Sequence, residues 1–347
     1  MQDLLSFLPR PVSRPLACGG SYSIVTRDGI TYGCGLHPNG NDIHWTPTPL
    51  PISHVANVAC SDSSTLYLLE DGTVSVSGTN YNGELGVGSG DSMILPPQTP
   101  VVSLSLSESH SAVVLQDGTV YASGNNGRGQ LGDGTRQSRQ TPVKMLTPPQ
   151  AVIAVACALQ RTYLLMLDGS VYYSGKYGRL NIPDELGHVE LPAPVIELAT
   201  SPNHTLFLLN DGSVMGVGWD QCGQLGYGMD DSTYQIRTTT IEMILPSPAL
   251  HIACAGCYSL ALLEDGSVWG CGSNSRGQLG TKHLGMELPT PLKLDLPPHV
   301  TAIATGTYHS LFSFKDGSVW GCGDNGTGQL GVGFFAQEGI PPTKLQF

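Results

Sequence analysis

The sequence predicts an all-β protein, a β-propeller of seven four-stranded blades, and three features predict it. One phrase recurs seven times along the 347 residues. Each copy centres on an Asp-Gly pair between two apolar runs, the strongest short-range hairpin signal. Gly (44) and Pro (25) are abundant and spread along the chain, while charged residues make up only 13%, the composition of a folded, turn-rich β protein.

The first element of each unit is a small-residue strand such as "VIAVACA", "HIACAG" or "TAIATG". Small side chains suit a crowded centre where radial units converge. Next comes the hairpin, as in "LYLLEDGTVSVSG", "AVVLQDGTVYASG", "LALLEDGSVWGCG" and "LFSFKDGSVWGCG". Its turns lie at Asp28, Asp71, Asp117, Asp168, Asp211, Asp265 and Asp316, spaced 43 to 54 residues apart. A short proline-led strand such as "TPVKML" or "TPLKLDL" completes the unit. Four strands in roughly 45 to 50 residues make one propeller blade, which must bury its faces against its neighbours. The chain 1–347 reads as a single domain.

Two units depart from the phrase. The first runs into "GLHPNGNDIHWTPTPL" and has no "GQLG", and its hairpin is one residue short; the fourth has "GRLN" (178–181) instead. Their edges are expected to be loosened or to receive a partner. The ring is expected to close by pairing of N- and C-terminal segments. "LLSFLPRPV" (4–12) and "TKLQF" (343–347) compete for the closing strand.

A net charge of −12, pI near 5.1 and 16 scattered basic residues argue against nucleic acid or an anionic membrane. A protein partner with a basic surface fits better. No apolar run reaches membrane-span length, and "MQDLLSFLPRP" lacks a basic n-region. A cytoplasmic or nuclear monomer with reduced thiols is expected, with export by a non-classical system left open.

Chemical motifs dissolve into the repeat. "GCGDNGTGQLG" (321–331) opens with a G-x-G-x-x-G, but no helical periodicity follows it to present amides to a phosphate. Cys254 and Cys257 form a C-x-x-C without the second pair a tetrahedral site needs. Cys18, Cys60, Cys157 and Cys254 share one repeat position, and Cys34, Cys271 and Cys322 another, as small buried hydrophobes do. The seven turn aspartates lie apart around a ring and no nucleophile motif exists. No metal, no cofactor and no covalent catalysis are expected.

The phrase as it stands in "GTYHSLFSFKDGSVWGCGDNGTGQLG" (306–331) and "ESHSAVVLQDGTVYASGNNGRGQLG" (108–132) resembles the regulator of chromosome condensation repeat family, over residues 12 to 333. The resemblance implies a seven-bladed propeller. It also implies a protein partner, specifically a small GTPase of the Ran type, with guanine nucleotide exchange as the most activity to be expected. The family's ultraviolet-B photoreceptor needs clustered tryptophans and arginines. Only Trp45, Trp219, Trp269 and Trp320 are present here, two of them at strand positions of the repeat.

Where the units disagree, function is sought. Two residues past each central turn stand Tyr22, Ser64, His110, Arg161, His204, Tyr258 and His309. They read either as hydrogen bonds between blades or as a docking face. Two positions earlier only Asp62 and Glu108 are acidic. In the exchange-factor member, acidic residues on consecutive blades and a histidine three blades after the first contact the GTPase, a pattern matched by Asp62, Glu108 and His204. The long connection 227–249, with Asp230 and Asp231, reads as a projecting hairpin. The candidate face is therefore Asp62, Glu108, His110, Arg161, His204, His309, Asp230 and Asp231. The alternatives are a non-catalytic scaffold or localisation adaptor and, third, a carbohydrate-active or lyase propeller.

Overall fold

The computed structural model describes residues 16–38, 42–88, 90–96, 99–176, 186–228, 236–281 and 285–347. Its strands form seven antiparallel sheets, six of four strands and one of three. Blade 1 is Leu16–Cys18, Tyr22–Arg27, Ile30–Leu36 and Ile43–Ser53; blade 2 is Val55–Cys60, Ser64–Leu69 and Val74–Gly78. Blade 3 is Val101–Leu106, His110–Leu115, Val120–Gly124 and Arg139–Lys144; blade 4 is Val152–Ala158, Arg161–Met166, Val171–Gly175 and Gly187–His188. Blade 5 is Val195–Thr200, His204–Leu209, Val214–Gly218 and Arg237–Glu242; blade 6 is Ala249–Ala255, Tyr258–Leu263, Val268–Ser273 and Glu287–Lys293. Blade 7 is Val300–Thr305, His309–Phe314, Val319–Asn325 and Ala336–Lys344.

Blade 2 departs from the expected four strands. Its outer segment makes one bridge, Ser75 to Ser92, and Met93 N donates to Val74 O at 3.0 Å. Pro96, which has no N–H to give, stands just beyond.

Every second-strand residue in blades 3 to 7 is buried, so these strands are the middle of the protein. The first strands lie on the channel side. Six of the Asp-Gly turns share one geometry. The aspartate Oδ1 accepts the N–H of the Thr or Ser two residues on at 2.8–2.9 Å, and the glycine takes φ of +77° to +83°. The first unit has Ile30 where the others have Thr or Ser, and its turn is correspondingly tighter. Arg27 pairs directly with Ile30, and Asp28 itself adopts φ +53°.

"GQLG" is the joint between blades. Leu131, Leu225, Leu279 and Leu330 are fully buried. Their amides donate to the side chains of Asn126, Asp220, Asn274 and Asn325 at 2.7–3.0 Å. The preceding glutamine carbonyls, Gln130, Gln224, Gln278 and Gln329, accept from hydroxyls of the next blade, Thr162, Ser259, Ser310 and Ser23, at 2.7–2.8 Å. The nucleotide-like fingerprint at 321–326 is the approach to one such joint. Gly323, at φ +105°, lies so close to blade 7's own second strand that a Cβ would stand 2.4 Å from Tyr308 O.

Of the two closing candidates, Thr343 and Lys344 belong to the fourth strand of blade 7, and 4–12 lies outside the described residues. Among the described strands no sheet mixes the two ends: each blade is built of consecutive strands. Blades 7 and 1 meet instead by packing, with Phe335 edge-on to Trp45, Phe347 edge-on to Tyr32 and Arg27 over Phe347. Hydrogen bonds reinforce the seam, from Gly333 N to Trp45 O (2.7 Å) and from Thr327 Oγ1 to Ser21 O (3.0 Å).

Candidate functional site

The turns joining first to second strands converge at one end of the channel and enclose an open cavity of about 500 Å³. Asp62 and Glu108 are both exposed there, on neighbouring blades. Thr307 of blade 7 donates its hydroxyl to Asp62 Oδ1 at 2.8 Å, spanning blade 1. It can do so because blade 1 carries Gly20 in between, where a Cβ would lie 2.8 Å from that same oxygen. Partial burial raises the Glu108 carboxyl above its ordinary range, and the negative charge of Asp62 adds to the effect. Among the described residues no ion pair is made to either carboxylate, so the two form a negative edge of the mouth.

The ring histidines are placed differently. His110, His204 and His309 are fully buried, so their side chains lie behind the mouth and join blades, the first of the two readings above. Thr162 Oγ1 donates to Gln130 O, so His110 Nε2 must carry the proton that it gives Thr162 at 2.9 Å; its Nδ1 then accepts from Ser107 Oγ at 2.9 Å. Ser201, His204, Ser259 and Gln224 repeat this relay at 2.7–2.9 Å. In blade 7 the serine is replaced by Gly306, so His309 bonds Ser23 Oγ through Nε2 at 2.8 Å while Nδ1 has no partner among the described residues. Burial pushes His110 and His309 down to about 4 and His204 to about 3, leaving all three neutral at pH 7. Tyr22 and Tyr258 make the same connection with a phenol, to Ser64 O and His309 O respectively.

Arg161 also turns inward. Its guanidinium stacks on Tyr173 of its own blade, 4.3 Å from the ring centroid. Asp230 and Asp231 lie outside the described residues, and Arg237–Glu242 of the same connection is the outer strand of blade 5 rather than part of a projecting hairpin.

Sequence reading missed the residue just before each ring position. There Asn203, Cys257 and Tyr308 line the cavity, and Cys222 enters it from the loop after blade 5's third strand. The available signal was Cys222 itself, standing where the other units have Arg128, Arg276 or Thr327. The C-x-x-C separates in space: Cys254 is buried on a strand and Cys257 is half-buried in a turn. No cluster of three metal-ligating side chains exists among the described residues. Beside the mouth a second cavity of about 320 Å³ is lined by Arg128, Pro202, Trp219 and Ile236. Trp269 and Trp320 donate to Ser267 and Ser318 of their own turns, and no two tryptophan rings pair among the described residues.

A family model described as RCC1-like domain matches residues 93–346. The ultraviolet-B receptor UVR8 of Arabidopsis thaliana is 29% identical over 94% of this chain and 68% of its own length. The X-linked retinitis pigmentosa GTPase regulator homolog of Caenorhabditis elegans is 30% identical over 56% of this chain, which matches only 14% of that protein. Among solved structures, yeast RCC1 (Prp20) bound to Kap60 superposes with a TM-score of 0.81 at 21% identity, covering 96% of this chain and 84% of that one. Prp20p of Saccharomyces cerevisiae, reported with its binding to Gsp1p and histones, gives 0.80 at 21% identity over 98% of this chain and 87% of that one. At such identity the likeness is one of fold.

Proposed function

The chain belongs to the RCC1-like domain family, and from that premise we propose a protein-binding propeller whose channel-mouth face engages a small GTPase of the Ran type. The observation that carries this reading is the exposed pair Asp62 and Glu108 at the rim of an open cavity, in a chain of net charge −12. Such a face attracts a basic surface and speeds encounter. Pressed against the switch and phosphate-binding loops of a GTPase, it would favour the nucleotide-free state and so promote exchange, with no bond made or broken by the propeller. The kinship with a GTPase regulator homolog and with Prp20, which binds Gsp1p, supports this choice. A cytoplasmic or nuclear site of action goes with it.

The test is release of labelled GDP from a panel of small GTPases. We expect acceleration of at least tenfold for one of them. Asp62→Ala with Glu108→Ala should lose most of that acceleration while shifting unfolding free energy by less than about 0.5 kcal/mol, as exposed side chains do. A second reading, a scaffold or adaptor, draws on the worm relative, in which the matched region is a small part of a longer protein. It wins if no GTPase responds and a stable partner is recovered that depends on the same two residues.

A further inference from the structure

A pair of thiols at the mouth stands outside the reading above. Cys222 lies in the joint loop of blade 5 and Cys257 in the central turn of blade 6, and both line the 500 Å³ cavity. The repeat brings these positions together. At the seam the equivalent residues are Thr327 and Ser21, and the Thr327 hydroxyl donates to Ser21 O at 3.0 Å. Only between blades 5 and 6 are both positions cysteine. Both residues therefore border the same cavity from adjacent blades.

Both residues are held in place. Cys222 N donates to Gln224 Oε1 at 3.0 Å, and Ser273 N donates to Cys257 O at 2.9 Å. Asn203 of blade 5 reaches across with its amide, donating to Cys257 Sγ at 3.4 Å and to Gly256 O at 3.2 Å. Of the nine cysteines, six are buried, and only Cys60, Cys222 and Cys257 are reached in part by solvent.

We infer that Cys222 and Cys257 form a peroxide-responsive pair, closing a reversible disulfide that staples blade 5 to blade 6 at the channel mouth. Cys257 is the attacking thiol. The neighbouring Cys222 thiol, and the Asn203 amide that donates to its sulfur, hold it down to about 7 although burial and Glu287 oppose this; Cys222 is raised in turn. The thiolate is the nucleophilic form. Cys60, by contrast, is pushed up to about 12 by burial and serves as an internal control.

In the first step the Cys257 thiolate attacks an oxygen of a hydroperoxide ROOH. An S–O bond forms, the O–O bond breaks, and the alkoxide leaves as ROH with the thiol's proton. Cys222 then attacks the sulfenic sulfur. The S–S bond forms, the S–O bond breaks, and hydroxide leaves as water with the Cys222 proton. Two electrons pass from the thiols to the peroxide, and a dithiol reductant reverses the change.

The test treats the full chain with a few equivalents of hydrogen peroxide, caps free thiols and maps the unreduced peptides. A linked peptide joining 222 to 257 is expected as the dominant cross-link, lost on adding dithiothreitol. In Cys222→Ser, Cys257 should stall as a sulfenic acid that dimedone captures. In Cys257→Ser, Cys222 should oxidise at least tenfold more slowly than in the unaltered chain. Capping of both cysteines after peroxide has consumed Cys60 would overturn the inference. So would a dominant link to any other cysteine, or undiminished oxidation of Cys222 without Cys257. The peptide map needs no variant, so it decides the matter even if a substitution impairs folding.

Discussion

The joint from blade 5 to blade 6 and the joint from blade 4 to blade 5 differ in a way that separates scaffold from opportunity. At the first, Gln224 O, Ser259, His204 and Ser201 form an unbroken buried relay beneath Leu225. At the second, the ring residue is Arg161, which turns back onto Tyr173 and Tyr163 of its own blade. There the Thr205 hydroxyl, at the position of Ser259, is buried with no partner among the described residues. The first unit also lacks "GQLG" yet is secured differently, by Tyr22 OH to Ser64 O and Thr65 Oγ1 (2.7 Å each) and by His37 to Tyr67 (2.9 Å). Consensus residues thus make joints. Departures leave a hydroxyl without a described partner, rebuild a joint, or place thiols at the mouth.

Acid should break the contrast most strongly, because relay histidines serve the joints from blade 3 to 4, 5 to 6 and 7 to 1 but not from 4 to 5. Their folded values lie near 3 to 4, below the ordinary 6.5, so below that pH the unfolded chain binds more protons. Stability should be full above pH 6.5 and fall as pH drops towards 4, by about 2 kcal/mol per histidine at pH 5. Urea unfolding at pH 7 and pH 5 measures this, and a flat profile would remove the neutral relays from the account. Next in size, Leu225→Ala should cost about 3 kcal/mol by emptying a fully buried site at the tight joint. The smallest effect is the sharpest comparison. Ser259→Ala leaves His204 Nε2 unpaired and Gln224 O with only the Cys271 thiol, and should cost about 2 kcal/mol, whereas Thr205→Val should change stability by less than about 0.5 kcal/mol. Equal losses at the two positions would mean that the two joints are equivalent after all.

The hairpins, the small-residue inner strands and the joints were legible because each repeats locally, with turn residues whose geometry is known in advance. The blade 2 edge was not, since "SMILPP" looks like "VKMLTPP" until the pairing of Ser92 is seen to stop after one bridge. For the histidines, polar residues beside a turn, the sequence leaves two readings open, a bond between blades or a docking face, and burial decides for the first. What buries them is the following hydroxyl, present in every unit from Ser23 to Ser310, which supplies a partner from the next blade. The placement of Cys257 at the mouth was hidden for a similar reason. Cys254 is three residues away in sequence, yet the cysteine that shares the cavity with Cys257 belongs to another blade.

The seam carries a consequence for the ancestry and handling of the molecule. Because the described strands of each sheet are consecutive, cuts in the gene between blades leave sheets whole. A unit cut out between blades therefore carries all of its described strand pairing with it. The same independence allows a permuted chain, with new ends opened between blades 3 and 4, to keep every described strand pairing.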